Sequence, residues 1–337
     1  MIITKTPFRM SFFGGGTDMP AFFNEHGGAV LSTTFDKYCY VTVRHLPPFF
    51  DYTSELVYSR IEQVDSIEKI EHPLVRNCIK FLDMHELRVN YESDLPARTG
   101  LGTSSSFAVG LLNAFYALKG KYASKKQLAD EAIYVERELC KESGGWQDQI
   151  AAAFGGFNRI DFKDNGYKVS PIIISPGRKQ RLNENLLLFF TGFSRFSSEI
   201  QKSTEAAIKD KTAQLKEMLA LVNEAQEVLV NDKSDLDDFG RLLDTTWRLK
   251  RQTGAKISTG SIDELYEKGI KAGALGGKLL GAGGGGFLVF YVQPEKRQAV
   301  LAAMRDLLHV PFAFENGGTQ VLYYAPEFYN VENRREK

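Results

Sequence analysis

Apolar residues near the start of the chain follow a strand-like pattern. Residues 1–13 and 28–45 combine alternating or continuous apolar positions with β-branched and aromatic side chains, which are typical of strands. Residues 88–92 have the same character just before a cluster of glycines. From Thr103 the apolar spacing becomes helical and continues until Gly120, where it stops. We therefore predict three strands followed by a helix.

Two further helices are predicted before the middle of the chain. Residues 124–127 have the form of a capping box, which predicts a helix that reaches about Cys140. A shorter helix is predicted around residues 146–154, closed by the glycines at 155 and 156. The short break between these helices can bring side chains from both toward one site.

The second half of the chain begins with strand patterns and then turns strongly helical. Strands are predicted at 156–162, 172–174 and 186–191, and helices at 197–230, 236–251 and 262–274. Residues 279–292 have the pattern of two strands around a glycine loop, and Pro294 is expected to start a helix. The segments 312–314 and 320–324, joined by glycine-rich residues 316–318, predict a terminal hairpin.

The order of these elements predicts the fold class. Strands and helices mix without regular βαβ alternation, and this favours an α+β fold. At 337 residues the chain is longer than one hydrophobic core usually supports, so we expect two lobes. The boundary is predicted near residue 180, in the basic loop at residues 176–181, which gives lobes of 1–180 and 181–337.

Composition and charge narrow the range of functions. The chain is 43% hydrophobic and 25% charged, as in ordinary globular proteins, and its formal net charge is +0. No overall field would therefore recruit nucleic acid or an anionic membrane, so any anion site must be local. We expect a cytoplasmic protein, because it lacks a signal peptide and a run of about 20 apolar residues, and its three cysteines favour a reducing compartment. No oligomeric state is predicted.

Three glycine-rich clusters lie at residues 14–16, 100–102 and 281–286, and the second of them carries the clearest chemical signal. Gly100 and Gly102 run directly into a predicted helix that begins with Thr103, Ser104 and Ser105. A helix N-terminus presents free N–H groups and partial positive charge, and hydroxyls there can meet a phosphate or a metal ion. The segment therefore predicts a phosphate-binding loop, with a plain Ser/Thr-capped helix as the alternative.

The third cluster excludes two familiar nucleotide-binding motifs. Residues 281–286 match G-x-G-x-x-G, but a strand pattern at 287–292 follows where a dinucleotide fingerprint requires a helix. No G-x-x-x-x-G-K-[ST] sequence occurs anywhere in the chain, so a Walker A loop is also excluded.

Four polar residues are candidates for the chemistry. Glu136 lies near the end of one predicted helix and Asp148 opens the next. One of these carboxylates could therefore bind a metal ion while the other acts as a general base. They could equally be solvated helix acids. Arg9 and Asp18 bracket the first glycine cluster, where Arg9 could face an anion. Asp18 could accept sugar hydroxyls or cap a turn.

Together, the three clusters form a specific ordered set. P-x-R-x(4)-G-x(3)-D, P-x(3)-G-L-G-[ST]-S-S and K-L-x-G-A-G-G-G-G-F follow one another along nearly the whole chain. This set resembles the GHMP kinase superfamily of galactokinase, homoserine kinase, mevalonate kinase and phosphomevalonate kinase. The resemblance implies a ribosomal protein S5-like N-terminal lobe, a ferredoxin-like C-terminal lobe, and ATP and substrate in the cleft between them.

The resemblance also implies roles for individual residues, matched motif by motif. Asp148 matches the catalytic aspartate, which would accept the proton of the substrate hydroxyl, and Arg9 matches an arginine that assists it. Ser104 and Glu136 match magnesium ligands. The implied nucleotide phosphate loop comprises Arg98, Gly100, Leu101, Gly102, Thr103, Ser104 and Ser105. The implied substrate contacts are Gly15, Gly16, Thr17, Asp18, Gly283 and Gly284.

Within the superfamily, the first motif favours one branch. Residues 14–18 read GGGTD, whereas galactokinases usually carry Gly-Glu-His-Thr-Asp, and the missing Glu-His pair argues against galactose. The GGGTD form resembles the bacterial D-glycero-α-D-manno-heptose-7-phosphate kinases, which phosphorylate the anomeric O1 to give the 1,7-bisphosphate for nucleotide-activated heptose and surface glycans. A phosphorylated substrate needs a cation in its pocket. The candidates, each of which could instead be an ordinary surface or helix-end charge, are Arg195, Lys250, Arg251 and Lys256.

Two other functions remain open. Fucokinase domains share much of the pattern, so the chain could be a 1-kinase for L-fucose or another free sugar. It could also be a catalytically silent sensor of sugar and ATP. A sensor would be expected to lack Glu136 or Asp148, or to carry an added DNA-binding element, but both carboxylates are present and no basic recognition helix is evident.

Overall fold

A large mixed sheet and the helices on it form the N-terminal part of the molecule. The computed structural model describes residues 1–97, 99–192, 208, 210–254 and 257–327. The first seven strands are β1 (Ile2–Phe13), β2 (Gly28–His45), β3 (Ser54–Val57), β4 (Ile61–Val64), β5 (Leu87–Ser93), β6 (Phe157–Lys163) and β7 (Gly166–Pro171). They pair antiparallel, except that β3 runs parallel to β5.

The helices of this part lie between its strands in the chain, except for the last one, which follows β7. They are α1 (Pro20–His26), α2 (Pro73–Phe81), α3 (Thr103–Leu118), α4 (Lys125–Tyr134), a π-helical turn (Val135–Leu139), α5 (Gln147–Phe154) and α6 (Pro176–Glu184), with a 3₁₀ turn at Ile67–Lys69. α3 is buried along most of its length, since Gly110 lets it approach β1 closely. A Cβ on Gly110 would lie 2.7 Å from Thr6 Oγ1. The predicted bounds of α3 are confirmed, as is the Ser124 cap of α4.

A small antiparallel sheet with its own helices forms the C-terminal part. Its strands are β8 (Leu186–Phe190), β9 (Ala274–Leu279), β10 (Phe287–Val292) and β11 (Leu308–His309), in the order β11-β8-β10-β9. Its helices are α7 (Thr212–Val230), α8 (Asp237–Gln252), α9 (Gly260–Lys271) and α10 (Arg297–Ala303), with a 3₁₀ turn at Pro294–Lys296. Of the two strands predicted within 279–292, β10 is confirmed, whereas β9 lies earlier and shares only Leu279 with the predicted range. Of the helix predicted at 197–230, residues 197–207 and 209 lie outside the described residues.

The end of the chain returns to the large sheet. β12 (Phe314–Glu315) pairs with β2, and β13 (Gln320–Tyr324) pairs with β1. The predicted terminal hairpin is therefore wrong, because each of its two segments pairs with a different strand from the start of the chain. The location of the boundary between two lobes near residue 180 stays a prediction.

Two other local predictions are wrong. The basic segment 176–181 is not a loop but belongs to α6, which Ser175 caps by accepting a hydrogen bond from the amide of Arg178. Pro176 at the first helical position suits this start. The strand predicted at 172–174 lies earlier, as β7, where it pairs with β6. α1, α2, β3 and β4 were not predicted.

The two sheets share a hydrophobic cluster. Phe12 and Leu31 from the large sheet lie in the same cluster as Val222, Phe239 and Val289 from the C-terminal helices and strands. Phe12 also packs edge-on against Phe239 with ring centroids 5.4 Å apart. This packing holds the loops that follow β1 and β9 beside the start of α3, and all three glycine clusters meet there.

Candidate active site

An arginine–aspartate pair lies at the centre of the cleft between the two parts. Arg9 on β1 donates from Nε and Nη2 to the two carboxylate oxygens of Asp148, each at 2.7 Å. Its Nη1 donates to the carbonyl of Gly100 at 2.8 Å. Arg9 is buried, whereas the Asp148 side chain keeps 19% of its surface exposed. Such a two-point contact orients the carboxylate and leaves it accessible to a substrate.

The second glycine cluster passes directly over this carboxylate. Gly100 and Gly102 have φ angles of 81° and 74°, a left-handed conformation that glycine adopts readily. A Cβ on Gly102 would lie 3.4 Å from Asp148 Oδ2. Gly102 is also the N-cap of α3 and has no side chain to satisfy the first amides of the helix. The N-terminus of α3 is therefore suited to an anion beside Asp148.

Glu136 lies behind this helix start, in a buried network of hydroxyls. Ser104 Oγ donates to one of its carboxylate oxygens at 2.8 Å, and Ser105 Oγ donates to the other at 2.7 Å. Gln149 adds a third hydrogen bond to Glu136 at 2.5 Å. The carboxylate is carried by the π-helical turn after α4, a feature that often marks functional sites.

The side-chain oxygens of Ser104 and Glu136 are suitable ligands for a magnesium ion. Mg²⁺ prefers hard oxygen ligands and is usually held by one or two carboxylates together with substrate phosphates. A hydroxyl and a carboxylate oxygen 2.8 Å apart, next to a helix start that presents free amides, match that preference. Among the residues that the structure describes, no group of three or more His, Cys, Asp or Glu side chains forms a metal site built from protein alone.

The third glycine cluster supports the second. A Cβ on Gly281 would lie 2.3 Å from the Cα of Gly100, and a Cβ on Gly286 would lie 2.1 Å from the carbonyl oxygen of Thr99. Gly281 lines the cleft itself, whereas Gly283 and Gly284 contact the backbone of Ile257. Glycine is needed here because two backbones approach each other more closely than any side chain permits.

The first glycine cluster provides another wall of the cleft. Gly15, Gly16 and Asp18 line it, while the buried Thr17 hydroxyl bonds to the backbone of Gly14 and Ala29. Asp18 accepts from the amide of Gly16 at 2.9 Å and, at the start of α5, from that of Gln147 at 3.3 Å. The structure thus shows the turn-capping role of Asp18. Burial, and then the neighbouring Asp148 charge, raise the pKa of Asp18.

Two buried lysines complete the cleft. Lys250 from α8 and Lys278 from β9 both line it. Lys250 is one of the predicted candidate cations, whereas Lys278 was not predicted. Its sequence signal is its place as the first residue of the K-L-x-G-A-G-G-G-G-F motif, three residues before Gly281.

Other predicted site residues lie elsewhere. Arg251 donates to Asp263 at 2.9 Å and does not line the cleft. Arg98, Arg195 and Lys256 lie outside the described residues. Leu101 is buried, and its carbonyl accepts from the Arg9 amide at 3.2 Å, so it anchors the second glycine cluster to β1.

Comparison with known proteins shows the family of the chain. The model of the GHMP kinases N terminal domain matches residues 73–156, and that of the GHMP kinases C terminal matches residues 215–310. Together the two matches cover more than half of the chain, so the chain belongs to the GHMP kinases. The expected two-lobed α+β fold of that family is confirmed, and the chain is an ATP-dependent sugar kinase.

Individual relatives point to sugars as acceptors. The chain is 29% identical to D-glycero-alpha-D-manno-heptose 7-phosphate kinase of Campylobacter jejuni, over 90% of this chain and 93% of that protein. It is 26% identical to the bifunctional fucokinase/GDP-fucose pyrophosphorylase of Arabidopsis thaliana, over 90% of this chain and 31% of that longer protein.

Solved structures share the fold. A D-glycero-D-manno-heptose 1-phosphate kinase from Bacteroides thetaiotaomicron matches with a TM-score of 0.77 and 24% identity, covering 98% of this chain and 100% of that one. Galactokinase of Lactococcus lactis, complexed with galactose, matches with a TM-score of 0.73 and 18% identity, covering 95% of both chains. In the part of the chain that the structure describes, no helix has the length and apolar character to cross a membrane.

Proposed function

We propose that this kinase phosphorylates the anomeric O1 hydroxyl of D-glycero-α-D-manno-heptose 7-phosphate and forms the 1,7-bisphosphate. The observation that carries the proposal is the Arg9–Asp148 pair, which lies against the glycine-rich start of α3 in a cleft with two buried lysines. The GGGTD form of residues 14–18 and the similarity to the Campylobacter jejuni heptose kinase support this sugar.

The reaction is a direct transfer between two oxygens. The O1 atom of the heptose forms a bond to the γ-phosphorus of ATP, the bond from that phosphorus to the β,γ-bridging oxygen breaks, and ADP leaves. The proton of the O1 hydroxyl passes to the Asp148 carboxylate, a contribution of typically 10²–10⁴-fold. Arg9 holds that carboxylate in place through its two 2.7 Å contacts.

Charge on the transferring phosphoryl group is stabilised by the start of α3. The backbone amides after Gly102 lie at the cleft end of the helix, so they act as fixed donors that need no reorganisation. Ser104 and Glu136 would hold Mg²⁺, which when bound supplies further neutralisation of the ATP phosphates. Asp18, Gly15 and Gly16 are proposed to contact the sugar, because they line the same cleft as Asp148.

A free-sugar kinase is the second candidate. The fucokinase part of the Arabidopsis thaliana protein and the L-fucokinase/L-fucose-1-P guanylyltransferase of Bacteroides fragilis are 26% and 24% identical to this chain. An L-fucose 1-kinase would use the same Arg9–Asp148 chemistry without a substrate phosphate. A catalytically silent sensor is disfavoured by the complete set of Arg9, Glu136 and Asp148.

The test is ATP consumption against a panel of acceptors. The panel contains heptose 7-phosphate, heptose 1-phosphate, free heptose, L-fucose, galactose and mannose, each with ATP and Mg²⁺. We expect kcat/KM for heptose 7-phosphate to exceed that for free heptose by about 10–150-fold, the value of one charge-assisted contact of about 1.5–3 kcal/mol. Preference for a free sugar would refute the heptose assignment, and no turnover of any acceptor would favour the sensor.

The lobe boundary and the cellular location of the protein are also proposed. We place the lobe boundary near residue 180, although β12 and β13 bring the end of the chain back to the large sheet. A cytoplasmic location is proposed from the cysteine content, which favours a reducing compartment.

A further inference from the structure

Lys250 and Lys278 are buried cations that the mechanism above does not use. Lys250 lies near the end of α8 and is 8% exposed, and Lys278 lies in β9 and is 1% exposed. Both line the cleft that contains Arg9 and Asp148. Lysine is rarely buried to this degree unless its charge is paired.

Among the described residues, each of the two ammonium groups hydrogen-bonds to one backbone carbonyl. The Lys250 ammonium donates to the carbonyl of Gly281, and the Lys278 ammonium donates to the carbonyl of Phe12 at 2.8 Å. Within the described ranges no carboxylate lies within 4 Å of either ammonium group, which is the limit for an ion pair. Each ammonium has three N–H donors, so both retain donors for a further acceptor.

The carboxylates of the cleft are already engaged. Asp148 makes its two short contacts with Arg9, and both Asp18 oxygens accept from backbone amides. Among the described residues, three cations and two carboxylates line the cleft. Asp18 and Asp148 attract the charge of Lys250, and Asp18 attracts that of Lys278, but neither carboxylate lies within ion-pair distance. An anion that enters this space would therefore meet two ammonium groups that still have free N–H donors.

Burial of two ammonium groups without a paired carboxylate is energetically unfavourable. Burial, followed by the charge of Arg9, lowers the pKa of Lys250 to about 8. Burial and the charge of Lys250 lower the pKa of Lys278 well below its ordinary value. A buried charge without a counter-ion destabilises a fold, and strongly perturbed groups of this kind cluster at functional sites.

We propose that Lys250 and Lys278 form a phosphate-binding pair in the cleft. The ligand is a phosphate group that comes either from the acceptor, as the ester that the sugar already carries, or from ATP, as the phosphoryl group in transfer. The acceptor source rests on the proposed function, and the ATP source does not.

The alternative is a structural role, since Lys278 links β9 to the carbonyl of Phe12 on β1. The two explanations predict opposite changes in stability. Substitution of a structural lysine by methionine, which has a similar length, would lower the melting temperature. If the charge is kept for a ligand, Lys278→Met and Lys250→Met should raise the melting temperature of the free protein, because an unpaired buried charge is removed.

Kinetics separate the two sources of the phosphate. If the acceptor supplies it, either variant lowers kcat/KM for heptose 7-phosphate by about 10–150-fold and leaves free heptose turnover within about 3-fold. If ATP supplies it, kcat falls by a similar factor for both acceptors while the melting temperature rises. Lys119→Met is the matched control, because the Lys119 ammonium also donates to a backbone carbonyl, that of Leu82 at 2.6 Å, outside the cleft.

Two results would overturn the proposal. One is unchanged kinetics for both acceptors in both variants. The other is an equal loss of kcat for both acceptors together with a lowered melting temperature, which is the structural outcome. If the wild-type protein does not turn over heptose 7-phosphate, the heptose assignment fails. The lysine pair is then tested by measuring kcat of the two variants for the free sugar that the protein accepts, together with their melting temperatures.

Discussion

Replacement of Asp148 by asparagine tests the centre of the mechanism with the smallest change in shape. The amide side chain of the Asp148→Asn variant would keep one oxygen that can accept from Arg9, while the second 2.7 Å contact would be lost. The variant also lacks a carboxylate that could take the proton of the acceptor hydroxyl. The buried Arg9 would also keep its charge without a full counter-ion. We therefore expect a large loss of turnover together with a measurable loss of stability.

The size of both effects follows from the geometry. Loss of the general base lowers kcat by about 10²–10⁴-fold. Loss of one charge-assisted hydrogen bond costs about 1.5–3 kcal/mol when buried. Removal of one partner of a buried ion pair costs about 3–5 kcal/mol, because the other charge is left uncompensated. Since the Asp148 side chain is 19% exposed, water compensates in part, and we expect about 2–4 kcal/mol. For a chain of this size that corresponds to roughly 4–12 °C in melting temperature.

The assay combines steady-state ADP release with equilibrium binding of ATP and a thermal melt. The dissociation constant of ATP should stay within about 3-fold of wild type, since the proposed partner of Asp148 is the acceptor hydroxyl. Asp161→Asn is the control. Asp161 accepts from Arg159 at 2.7 Å on β6, so this variant removes a comparable ion pair without removing the base. We expect Asp161→Asn to retain its turnover.

A folded Asp148→Asn variant that binds ATP normally and turns over within about 10-fold of wild type would refute the role of Asp148 as the base. If Asp161→Asn loses as much turnover as Asp148→Asn, the loss reflects damaged ion pairing and the assignment also fails.

Two further predictions concern the glycine loops and the buried lysine. Gly281→Ala should destabilise the protein by more than about 3 kcal/mol, because the φ of 79° is unfavourable for alanine and the new Cβ would lie 2.3 Å from the Gly100 Cα. Gly177→Ala is the control, and it should be neutral or stabilising because there is open space around Gly177. A Gly281→Ala protein that is as stable as wild type in urea unfolding would contradict the close approach of the two backbones. Lys250→Met should be more stable than wild type by about 3 kcal/mol below pH 8. This stability difference should shrink between about pH 8 and 10.5, because in that range the lysine of the unfolded state still holds a proton that the lysine of the folded state has released. A stability difference that does not change with pH would contradict the lowered pKa of Lys250.

Local patterns in the sequence were sufficient for much of the fold. The helical spacing from Thr103 predicted the correct bounds of α3, and the Ser124 capping box predicted the correct start of α4. These signals work because spacing and capping act within a few residues. The prediction for segment 176–181 failed since its basic residues suggested an exposed loop, whereas Arg178 is buried and donates to the carbonyls of Leu229 and Val228. The nearer of these partners lies 50 residues away.

Pairing between distant segments could not be derived in this way. The segments 312–314 and 320–324 have ordinary hairpin chemistry, yet their strands β12 and β13 add to β2 and β1 instead. Which strand each segment pairs with depends on the strand edges that are free in the large sheet. Those edges exist only after the sheet has formed.

The amino-acid sequence contained the chemistry of this kinase in its ordered motifs, since each glycine cluster and its neighbouring polar residues form a local signal. Their meeting depends on the tertiary structure: Arg9 and Asp148 are 139 positions apart, and the packing of β1, α3 and α5 brings them to 2.7 Å. The same packing buries Lys278, which the sequence shows only as the first residue of the third motif. Contact and burial are properties of the assembled core, and they convert residues that are distant in sequence into one charged cleft.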